Sequence, residues 1–367
     1  MKLGIIGLPN VGKSTLFNAL TNTKAETANY QFSTITANVG TVNVPDERLD
    51  FLTNLNKSQK TVPAFIEFSD IAGLVQGASK GEGLGNKFLA SIREVDAVVH
   101  VVRCFEDEKI IHISDSIDPV RDVEIVNMEL IYADMELAER RVERAKKAMK
   151  SDKSAEKEAK LFEELLDVLN EGKSARSVNY TPEQLAILET CPLLSRKKII
   201  YVANVSEDDA AGIENGGSGS VYYRKLNELA KSENAEIIPV CAKTEAEINE
   251  LPEIERKEFL KELGIKKPGL EKLIQASYRL LGLISYLTSG PKETKAWTIK
   301  KGAKAPEAAG KIHSDIEKGF IRAETVAFAD LHECGTMAAA KEKGVLRSEG
   351  KEYVVSDGDV ILFRFNV

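Results

Sequence analysis

The sequence has few cysteines, histidines and tryptophans: 4, 4 and 1 among 367 residues. The cysteines lie far apart and form no CxxC pair or other metal-ligand spacing, at Cys104, Cys191, Cys241 and Cys334. This pattern favours reduced thiols over a disulfide framework or a zinc site. No apolar run approaches the roughly 18 residues that span a bilayer, and the first residues lack the layout of a signal peptide. We therefore expect a soluble, cytoplasmic protein without a membrane segment.

An excess of positive charge is also absent, since 50 Lys and Arg stand against 57 Asp and Glu, for a net charge of −7. Indiscriminate binding to nucleic acid needs clustered cations, so any RNA contact must be local. One local cluster exists between Glu139 and Lys160, where nine Lys/Arg accompany five Asp/Glu. Two interpretations stay open for it: a solvated charged face on helices, or a contact surface for RNA or a partner.

The length predicts two to three domains. Up to about residue 260, short apolar runs alternate with helical patterns, as a parallel sheet with crossover helices requires. These runs are KLGIIGL and residues 64–68, 97–102, 199–203 and 237–240. We predict a doubly wound α/β domain that carries an insertion.

The insertion is predicted to be an antiparallel helical hairpin. From about Glu124 to Met149 the apolar residues follow a heptad, with Met128, Met135, Val142 and Met149 at one position and Ile131, Ala138 and Ala145 at the other. After the break SDKSAEK, a second apolar stripe runs from Leu161 to Leu169 and stops before Gly172. Two such stripes would pack against each other and project from the α/β core.

After Ser289-Gly290-Pro291 the pattern changes to short alternating runs between Gly-containing turns, namely KAWTIK, AETVAFA, KEYVV and DVILFRF. Alternation with a period of two indicates strands. The C-terminal residues therefore predict a small α+β module made mostly of strands.

The segment GLPNVGKS, residues 7–14, matches GxxxxGK[ST] between a predicted strand and a predicted helix. Backbone N–H groups of such a loop converge on phosphate oxygens, and the helix N-terminus adds its positive end. Lys13 would reach the β- and γ-phosphates, and Ser14 would bind Mg²⁺. These residues predict a P-loop nucleoside triphosphatase.

A second motif, DIAG beginning at Asp70, follows the predicted strand PAFIEFS and has the form of the Walker B/DxxG signature. Asp70 would hold Mg²⁺ through water, and the Gly73 amide would sense the γ-phosphate. A hydroxyl between the two motifs should complete the Mg²⁺ shell. We select Thr34 for this role, with Ser33 and Thr36 as alternatives.

The base-reading motif is altered, because NVSE at residues 204–207 stands where GTPases carry NKxD. The Asp of NKxD accepts hydrogen bonds from guanine N1–H and N2–H₂, whereas Glu207 is one methylene longer and Val205 replaces the Lys that packs on the base. A displaced carboxylate forfeits bonds worth roughly 1.5–3 kcal/mol each. The motif thus predicts a preference for ATP. Asn204 and the segment Cys241-Ala242-Lys243 would still contact the purine.

Hydrolysis is expected to be slow, because Leu74 stands where many GTPases place the Gln that positions the attacking water. Two substitutes are candidates. Asn10 can coordinate a monovalent cation such as K⁺ near the phosphates, and His112 can act as a water-orienting base. A purely structural role for His112 stays open.

With these motifs assembled, the chain resembles the YchF/Obg-like ATPase family of Obg-related P-loop GTPases over essentially its whole length. The resemblance rests on the strings GLPNVGKSTLFNALT, DIAGLVQGASKGEGLGNKFL, HVVRCFEDEKIIHIS, NVSE, AWTIKKGAKAPEAAGKIHSDIEKGFIRAET and DGDVILFRFNV. It implies a G domain over residues 1–260 with a helical coiled-coil arm inserted at 124–190. It further implies a TGS domain with a ubiquitin-like β-grasp fold at 281–366, and we predict a connecting helix at 261–280 before it.

The resemblance also implies ATP binding in preference to GTP, Mg²⁺ held by Ser14 and Thr34, and association with the ribosome. We expect a monomeric, ATP-driven switch whose arm and TGS module contact the ribosome, its large subunit or RNA. Rival hypotheses are a GTPase that tolerates Glu207 and a non-catalytic, nucleotide-dependent adaptor in stress response. The predicted catalytic residues are Asn10, Lys13, Asp70, Gly73 and His112; the metal ligands are Ser14, Thr34 and Asp70; the nucleotide contacts are Asn10, Val11, Gly12, Lys13, Ser14, Thr15, Asn204, Val205, Glu207, Cys241 and Ala242.

Overall fold

The structure, a computed structural model, describes residues 1–22, 39–72, 84–110, 116–149, 154–265 and 267–366. The described residues divide into two compact units. The first contains residues 1–22, 39–40 and 67–273, and the second contains residues 41–66 and 274–366. The described part of the second unit is thus built from two separate stretches of the chain.

The described residues form strands and helices in the following chain order. The strands are β1 (Lys2–Ile6), β2 (Val39–Asn43), β3 (Thr61–Val62), β4 (Phe65–Asp70), β5 (Ala97–Arg103), β6 (Lys198–Asn204), β7 (Glu236–Val240), β8 (Leu283–Ser289), β9 (Thr294–Lys300), β10 (Phe320–Ala327), β11 (Arg347–Glu349) and β12 (Asp359–Phe365). The helices are α1 (Lys13–Asn22), α2 (Arg48–Asn56), α3 (Leu84–Arg93), α4 (Pro119–Ala148), α5 (Ser154–Asn170), α6 (Pro182–Glu189), α7 (Glu207–Glu214), α8 (Val221–Ser232), α9 (Ala242–Glu250), α10 (Glu253–Glu262), α11 (Gly269–Leu280), α12 (Ala305–Ile312), α13 (Ser314–Lys318), α14 (Phe328–Cys334) and α15 (Met337–Glu342), with a 3₁₀ turn at Ala175–Ser177.

The first unit is organised by a sheet of strand order β2-β4-β1-β5-β6-β7. The five strands from β4 to β7 pair in parallel, and helices connect them in sequence, which confirms the predicted α/β class. Strand β5 reads AVVHVVR and is buried at every position, as expected for a parallel strand covered on both faces. Because the strands are parallel, their carboxyl ends lie at one edge of the sheet, where ligands bind in open α/β folds.

Helices α4 and α5 form the predicted hairpin. Asp118 caps α4, its carboxylate accepting from the N–H groups of Val120 and Arg121, and Pro119 occupies the first helical position. Arg141 pairs with Glu158 at 3.1 Å near the closed end of the hairpin. Farther from that end, a Cβ added at Gly172 would lie 3.8 Å from the Met128 sulfur, so the helices run in opposite directions.

The hairpin has a hydrophobic cluster of its own. The buried members on α4 and α5 are Ile131, Ala138, Val142, Leu161, Phe162, Leu165 and Leu169, with Met128 and Met135 packed against them. The heptad prediction is wrong at Met149, which is 42% exposed. Met149 caps the C-terminus of α4 and lies beyond the buried seam.

The second unit contains a mixed sheet of order β11-β10-β12-β8-β9-β3. Strands β8 and β9 form an antiparallel hairpin, β12 lies parallel to β8, and β10 pairs antiparallel with β12. Helix α12 packs its buried alanines into a core with Tyr286, Ile299 and Phe363. This order of hairpin, helix and central parallel strand is the β-grasp arrangement. The predicted strand at KEYVV is wrong, because only Val354 makes an isolated bridge, to Lys304.

In the part of the chain that the structure describes, no helix combines the length and apolar character needed to cross a membrane.

Candidate nucleotide-binding site

The P-loop connects β1 to α1 at the carboxyl edge of the first sheet. Within residues 7–12, Gly12 has φ +93°, and a Cβ there would overlap the side-chain amide of Asn204. Glycine is therefore required at this position both by backbone conformation and by space. The Leu16 N–H donates to the Gly12 carbonyl oxygen at 2.9 Å, so the helix starts directly after the loop.

Lys13 and Asp70 form an ion pair at the end of this loop. Lys13 is the first residue of α1, Asp70 is the last residue of β4, and the ammonium nitrogen contacts the carboxylate Oδ1. The strand register explains the meeting, because Ile5 of β1 pairs with Asp70. A bound Mg²⁺–triphosphate would supply phosphate oxygens to the ammonium group and a cation to the carboxylate. The structure thus brings together two charged groups that the motifs predicted separately.

The donors available for a metal suit Mg²⁺. Ser14 and Thr15 lie exposed on the first turn of α1, and the Asp70 carboxylate contacts Lys13, the residue before Ser14. Among the described residues, no group of three or more His, Cys, Asp or Glu could hold a metal by itself. Mg²⁺ favours hard oxygen donors and is commonly held by one or two protein groups plus substrate phosphates. The donor set therefore fits a metal that arrives with a nucleotide.

Asn204 links the phosphate loop to the base-reading segment. Its side-chain Nδ2 donates to the Val11 carbonyl oxygen at 2.9 Å, and its Oδ1 accepts from the Ala242 N–H at 3.1 Å. The side chain is buried, at 5% exposure. Strand pairing brings these loops together, since Asn204 lies opposite Val240 of β7. Both ends of the amide are used, so Asn204 fixes the site by connecting its two halves.

Val205 is 2% exposed, and its N–H donates to the Val240 carbonyl oxygen at 3.0 Å. The position that carries a flexible Lys in NKxD is here an aliphatic side chain packed into the protein. Little of it is left at the surface to cover a base. Sequence reasoning identified the substitution but not this burial.

Glu207 has a hydrogen-bond partner that the motifs did not predict. It is the first residue of α7, and its carboxylate Oε2 accepts from the Thr244 hydroxyl at 2.8 Å. Thr244 lies in the first turn of α9 and is 3% exposed. Its Oγ1 is also 3.1 Å from the Cys241 sulfur. The base-reading carboxylate is therefore engaged by the segment Cys241–Thr244.

Arg103 is a buried cation that sequence reasoning missed. It ends β5, is 2% exposed, and donates to the carbonyl oxygens of Phe105, Asp107 and Ile110 at 3.0–3.1 Å. Three charge-assisted bonds to backbone shape the loop that follows the strand. The available signal was an arginine at the end of an otherwise apolar strand. The loop leads toward His112, which lies outside the described residues.

Several predicted site residues also lie outside the described part of the chain. They are Thr34 with its alternatives Ser33 and Thr36, together with Gly73, Leu74 and His112. The structure does place Asn10, Val11, Gly12, Lys13, Ser14, Thr15, Asp70, Asn204, Val205, Glu207, Cys241 and Ala242 around the carboxyl ends of β1, β4, β6 and β7. Asn10 is exposed and has φ 64°, a left-handed conformation that Asn tolerates better than most residues.

A buried carboxylate lies next to the base-reading segment. Glu245 follows Thr244 on α9, and its Oε1 accepts from the Gly269 N–H at the start of α11. Burial raises the pKa of Glu245 to about 7, although backbone N–H groups of Gly269 and Leu270 act in the opposite direction. The carboxyl group therefore changes its charge near neutral pH.

A parallel sheet with a P-loop after its first strand, an aspartate ending the adjacent strand and an Asn-centred base loop defines a P-loop GTPase-type G domain. A family model described as "50S ribosome-binding GTPase" matches residues 2–133, and another described as "Protein of unknown function (DUF933)" matches residues 283–366. The chain belongs to the YchF family, as its curated relatives show. The "Ribosome-binding ATPase YchF" of Bacillus subtilis is 58% identical over 365 residues, covering 99% of each chain.

Other relatives agree. The protein of the same name from Escherichia coli O157:H7 is 50% identical over 367 residues, covering 100% of this chain and 99% of its own. The solved YchF GTPase of Schizosaccharomyces pombe is 38% identical with a TM-score of 0.88, covering 99% of this chain and 97% of that one. The likeness therefore extends through both compact units.

Proposed function

We propose that the chain is an ATP-binding, slowly ATP-hydrolysing switch that requires Mg²⁺ and associates with the ribosome. The main support for nucleotide binding is the Asn204 amide, which joins a complete P-loop to an altered base-reading segment. We propose that the triphosphate of the bound nucleotide lies along residues 10–15 and that the base of the nucleotide lies beside Asn204, Cys241 and Ala242.

The phosphate end would be held by the backbone of the P-loop and by Lys13. Ser14, Thr34 and Asp70 would hold Mg²⁺, which when bound neutralises charge on the β- and γ-phosphates. The Lys13–Asp70 ion pair supports these roles, because it keeps an ammonium and a carboxylate ready at the positions where opposite charges would arrive. Gly73 would sense the γ-phosphate from the segment after β4.

The preference for ATP follows from the base-reading segment. Guanine needs an acceptor for N1–H and N2–H₂, and the only carboxylate of NVSE is hydrogen bonded to Thr244. Adenine offers an acceptor at N1 and a donor at N6, so it does not need that carboxylate. The buried Val205 adds no charge that would favour guanine.

Turnover would be slow, because Leu74 cannot orient a water molecule. We propose that His112, or a K⁺ ion coordinated by Asn10, supplies the missing function. Arg103 supports the His112 proposal by shaping residues 105–110 just before that histidine.

Association with the ribosome is proposed from the names of the relatives and from the arm. Arg140, Arg144 and Lys147 are all exposed on α4 of a protein whose net charge is −7. A cationic helical face on an acidic protein favours a local contact with RNA phosphates. We further propose that the protein acts as a monomer and that residues 281–366, as a TGS domain, contribute to the ribosome contact.

The nucleotide preference is tested by measuring the affinities of the full chain for ATP and GTP in Mg²⁺ by calorimetry. We expect tighter binding of ATP, and an equal or higher affinity for GTP would contradict the proposal. Lys13→Ala should weaken ATP binding by one to two orders of magnitude, since hydrogen bonds to charged groups contribute roughly 1.5–3 kcal/mol each. Lys231→Ala, an exposed cation on α8, is the matched control and should leave the affinity unchanged.

A further inference from the structure

We infer that Thr244 is a specificity-determining residue of the nucleotide site, because its hydroxyl holds the Glu207 carboxylate against α9 and away from guanine. The inference rests on the proposed ATP preference and assigns part of that preference to a residue outside the base-reading motif. Glu207 and Thr244 are 37 positions apart and belong to different helices.

Thr244 donates to Glu207 from a buried position. Thr244 is 3% exposed, so water competes little for its hydroxyl, whereas the Glu207 carboxylate 2.8 Å away belongs to an exposed residue and keeps contact with solvent. A hydroxyl bond to a carboxylate is still stronger than a bond between neutral groups. If guanine were to use both carboxylate oxygens of Glu207, it would compete with this bond for Oε2 and leave the buried hydroxyl with the weaker Cys241 sulfur as its acceptor.

The hydroxyl proton of Thr244 has two acceptors within reach. One hydroxyl proton serves one strong acceptor, so the proton of Thr244 belongs to Glu207. The Cys241 sulfur, 3.1 Å from the same oxygen, is a second and weaker acceptor for this hydroxyl. The carboxylate is the stronger acceptor of the two, so Thr244 stays a donor toward Glu207.

Neighbouring strands bring Glu207 and Thr244 together. Glu207 begins α7 just after β6, and Thr244 is in the first turn of α9 just after β7. Strands β6 and β7 are adjacent and parallel, so the two helices start side by side. The extra methylene of Glu207, compared with the Asp of NKxD, gives the carboxylate the reach to cross this gap. A cavity adjoining the pair is lined by Glu207, Cys241, Thr244, Glu245 and Ile248.

The bond between Thr244 and Glu207 changes the affinities for the two purines in opposite directions. Guanine loses free use of one of the two carboxylate oxygens that would accept from its N1–H and N2–H₂. Adenine, whose N1 carries a lone pair, is spared a carboxylate directed at that nitrogen. Releasing Glu207 should therefore improve GTP binding and leave ATP binding equal or slightly weaker.

The test compares affinities for the β,γ-imido analogues of ATP and GTP, with Mg²⁺, in the full chain. Thr244→Val keeps the size of the side chain and removes the donor, and we expect it to shift the ratio of the two affinities by about tenfold toward GTP. Thr244→Ser keeps the hydroxyl and should leave the ratio unchanged. In a Glu207→Ala background, Thr244→Val should shift nothing further, because the carboxylate it would release is gone.

Three outcomes would overturn the inference. One is an ATP preference that survives Thr244→Val unchanged. Another is an equal loss of affinity for both nucleotides, which a merely structural Thr244 would give. The third is a shift of the same size in the Glu207→Ala background. Thermal unfolding of each variant shows whether it folds, and Thr244→Ala replaces Thr244→Val if the latter does not. An unmodified chain that prefers GTP would instead contradict the proposed function itself.

Discussion

One residue near the site, Glu245, changes its charge with pH. Glu245 is 6% exposed and lies against the N-terminus of α11, and burial raises its pKa to about 7. The folded protein binds the proton of Glu245 more tightly than the unfolded chain, in which the carboxyl has its ordinary pKa of 4.5. Its contribution to stability is therefore complete below about pH 4.5 and is lost as pH rises through 7.

The substitution Glu245→Gln tests the direction of this pH dependence of stability. The amide cannot ionise, so between pH 4.5 and pH 8 the free energy of unfolding of the variant should rise by about 3 kcal/mol relative to the unmodified chain. Denaturant unfolding followed by circular dichroism at several pH values measures the difference. Glu247→Gln, on an exposed position of the same helix, should give a constant offset. Parallel stability curves for Glu245→Gln and the unmodified chain would refute the effect.

The motifs predicted the site residues whose geometry is local. Lys13 follows a glycine loop and Asp70 ends a strand, so the spacing along the chain already describes where each side chain lies. Thr244 gave no such signal, because a threonine near the start of a helix is common. Its partnership with Glu207 depends on β6 and β7 being neighbours, and that neighbourhood is a property of the folded sheet.

At the scale of elements, the hairpin of α4 and α5 is a self-contained packing unit. Its cluster is joined to the segment that precedes β6 by Asp134, whose carboxylate accepts from the Leu194 N–H at 2.8 Å and from the N–H and hydroxyl of Ser195 at 2.7 and 2.6 Å. Arg176 adds contacts to Asn127 and Glu233 at 2.9 and 3.2 Å. Hydrogen bonds and an ion pair therefore anchor the base of the arm, and apolar side chains pack α4 against α5 along its length.

Phe162→Ala should destabilise the arm without weakening the nucleotide site. Phe162 is fully buried in the arm cluster, and truncating a buried Phe costs about 3–5 kcal/mol. We expect an additional early unfolding transition and a loss of helical circular dichroism, while the affinity for ATP stays within about twofold. Met149→Ala, at an exposed position, is the control and should change neither quantity. A tenfold loss of ATP affinity in Phe162→Ala would show that the arm and the site are not independent.

Some elements could not be predicted because alternation reports exposure and not pairing. The residues KEYVV alternate as a strand does, with Val355 buried and Val354 exposed, yet only a single bridge forms. The sheet already has β10 and β8 on the two sides of β12. In contrast, the heptad predicted the helical hairpin well, because its long repeat records a buried seam over many turns.

At the scale of the whole molecule, the sequence contained no sign that residues 41–66 belong with the C-terminal unit. Strand β3 has only two residues, and it pairs with β9 through Thr61 and Thr294, more than 200 positions away along the chain. Ser58 and Asn56 add hydrogen bonds to Gly290 and Ser289 at 2.7 and 2.8 Å. Contacts of this kind arise from tertiary packing, and a short strand has too little periodicity to reveal them.

The proposed ribosome contact is tested on the complete chain. Charge reversal at Arg140, Arg144 and Lys147 should weaken co-sedimentation with ribosomal subunits at least tenfold and reduce its dependence on salt, because the released counterions are fewer. The affinity for ATP should not change. Reversal of Lys225, Lys231 and Lys261, which are exposed outside the arm, is the matched control. Undiminished co-sedimentation of the arm variant would assign the contact to another surface.

The Asn204 amide has one further consequence. Since it ties the Val11 carbonyl to the Ala242 N–H, one planar group sets the span between the P-loop and the proposed base-contacting loop. The distance between these two loops is then fixed, and the site selects nucleotides by the length of the base as well as by hydrogen bonds. A pyrimidine nucleotide, whose single ring extends less far from the ribose, would not reach the Ala242 side of the site. We therefore expect UTP and CTP to bind more weakly than ATP because their bases are shorter, independently of the choice between the two purines.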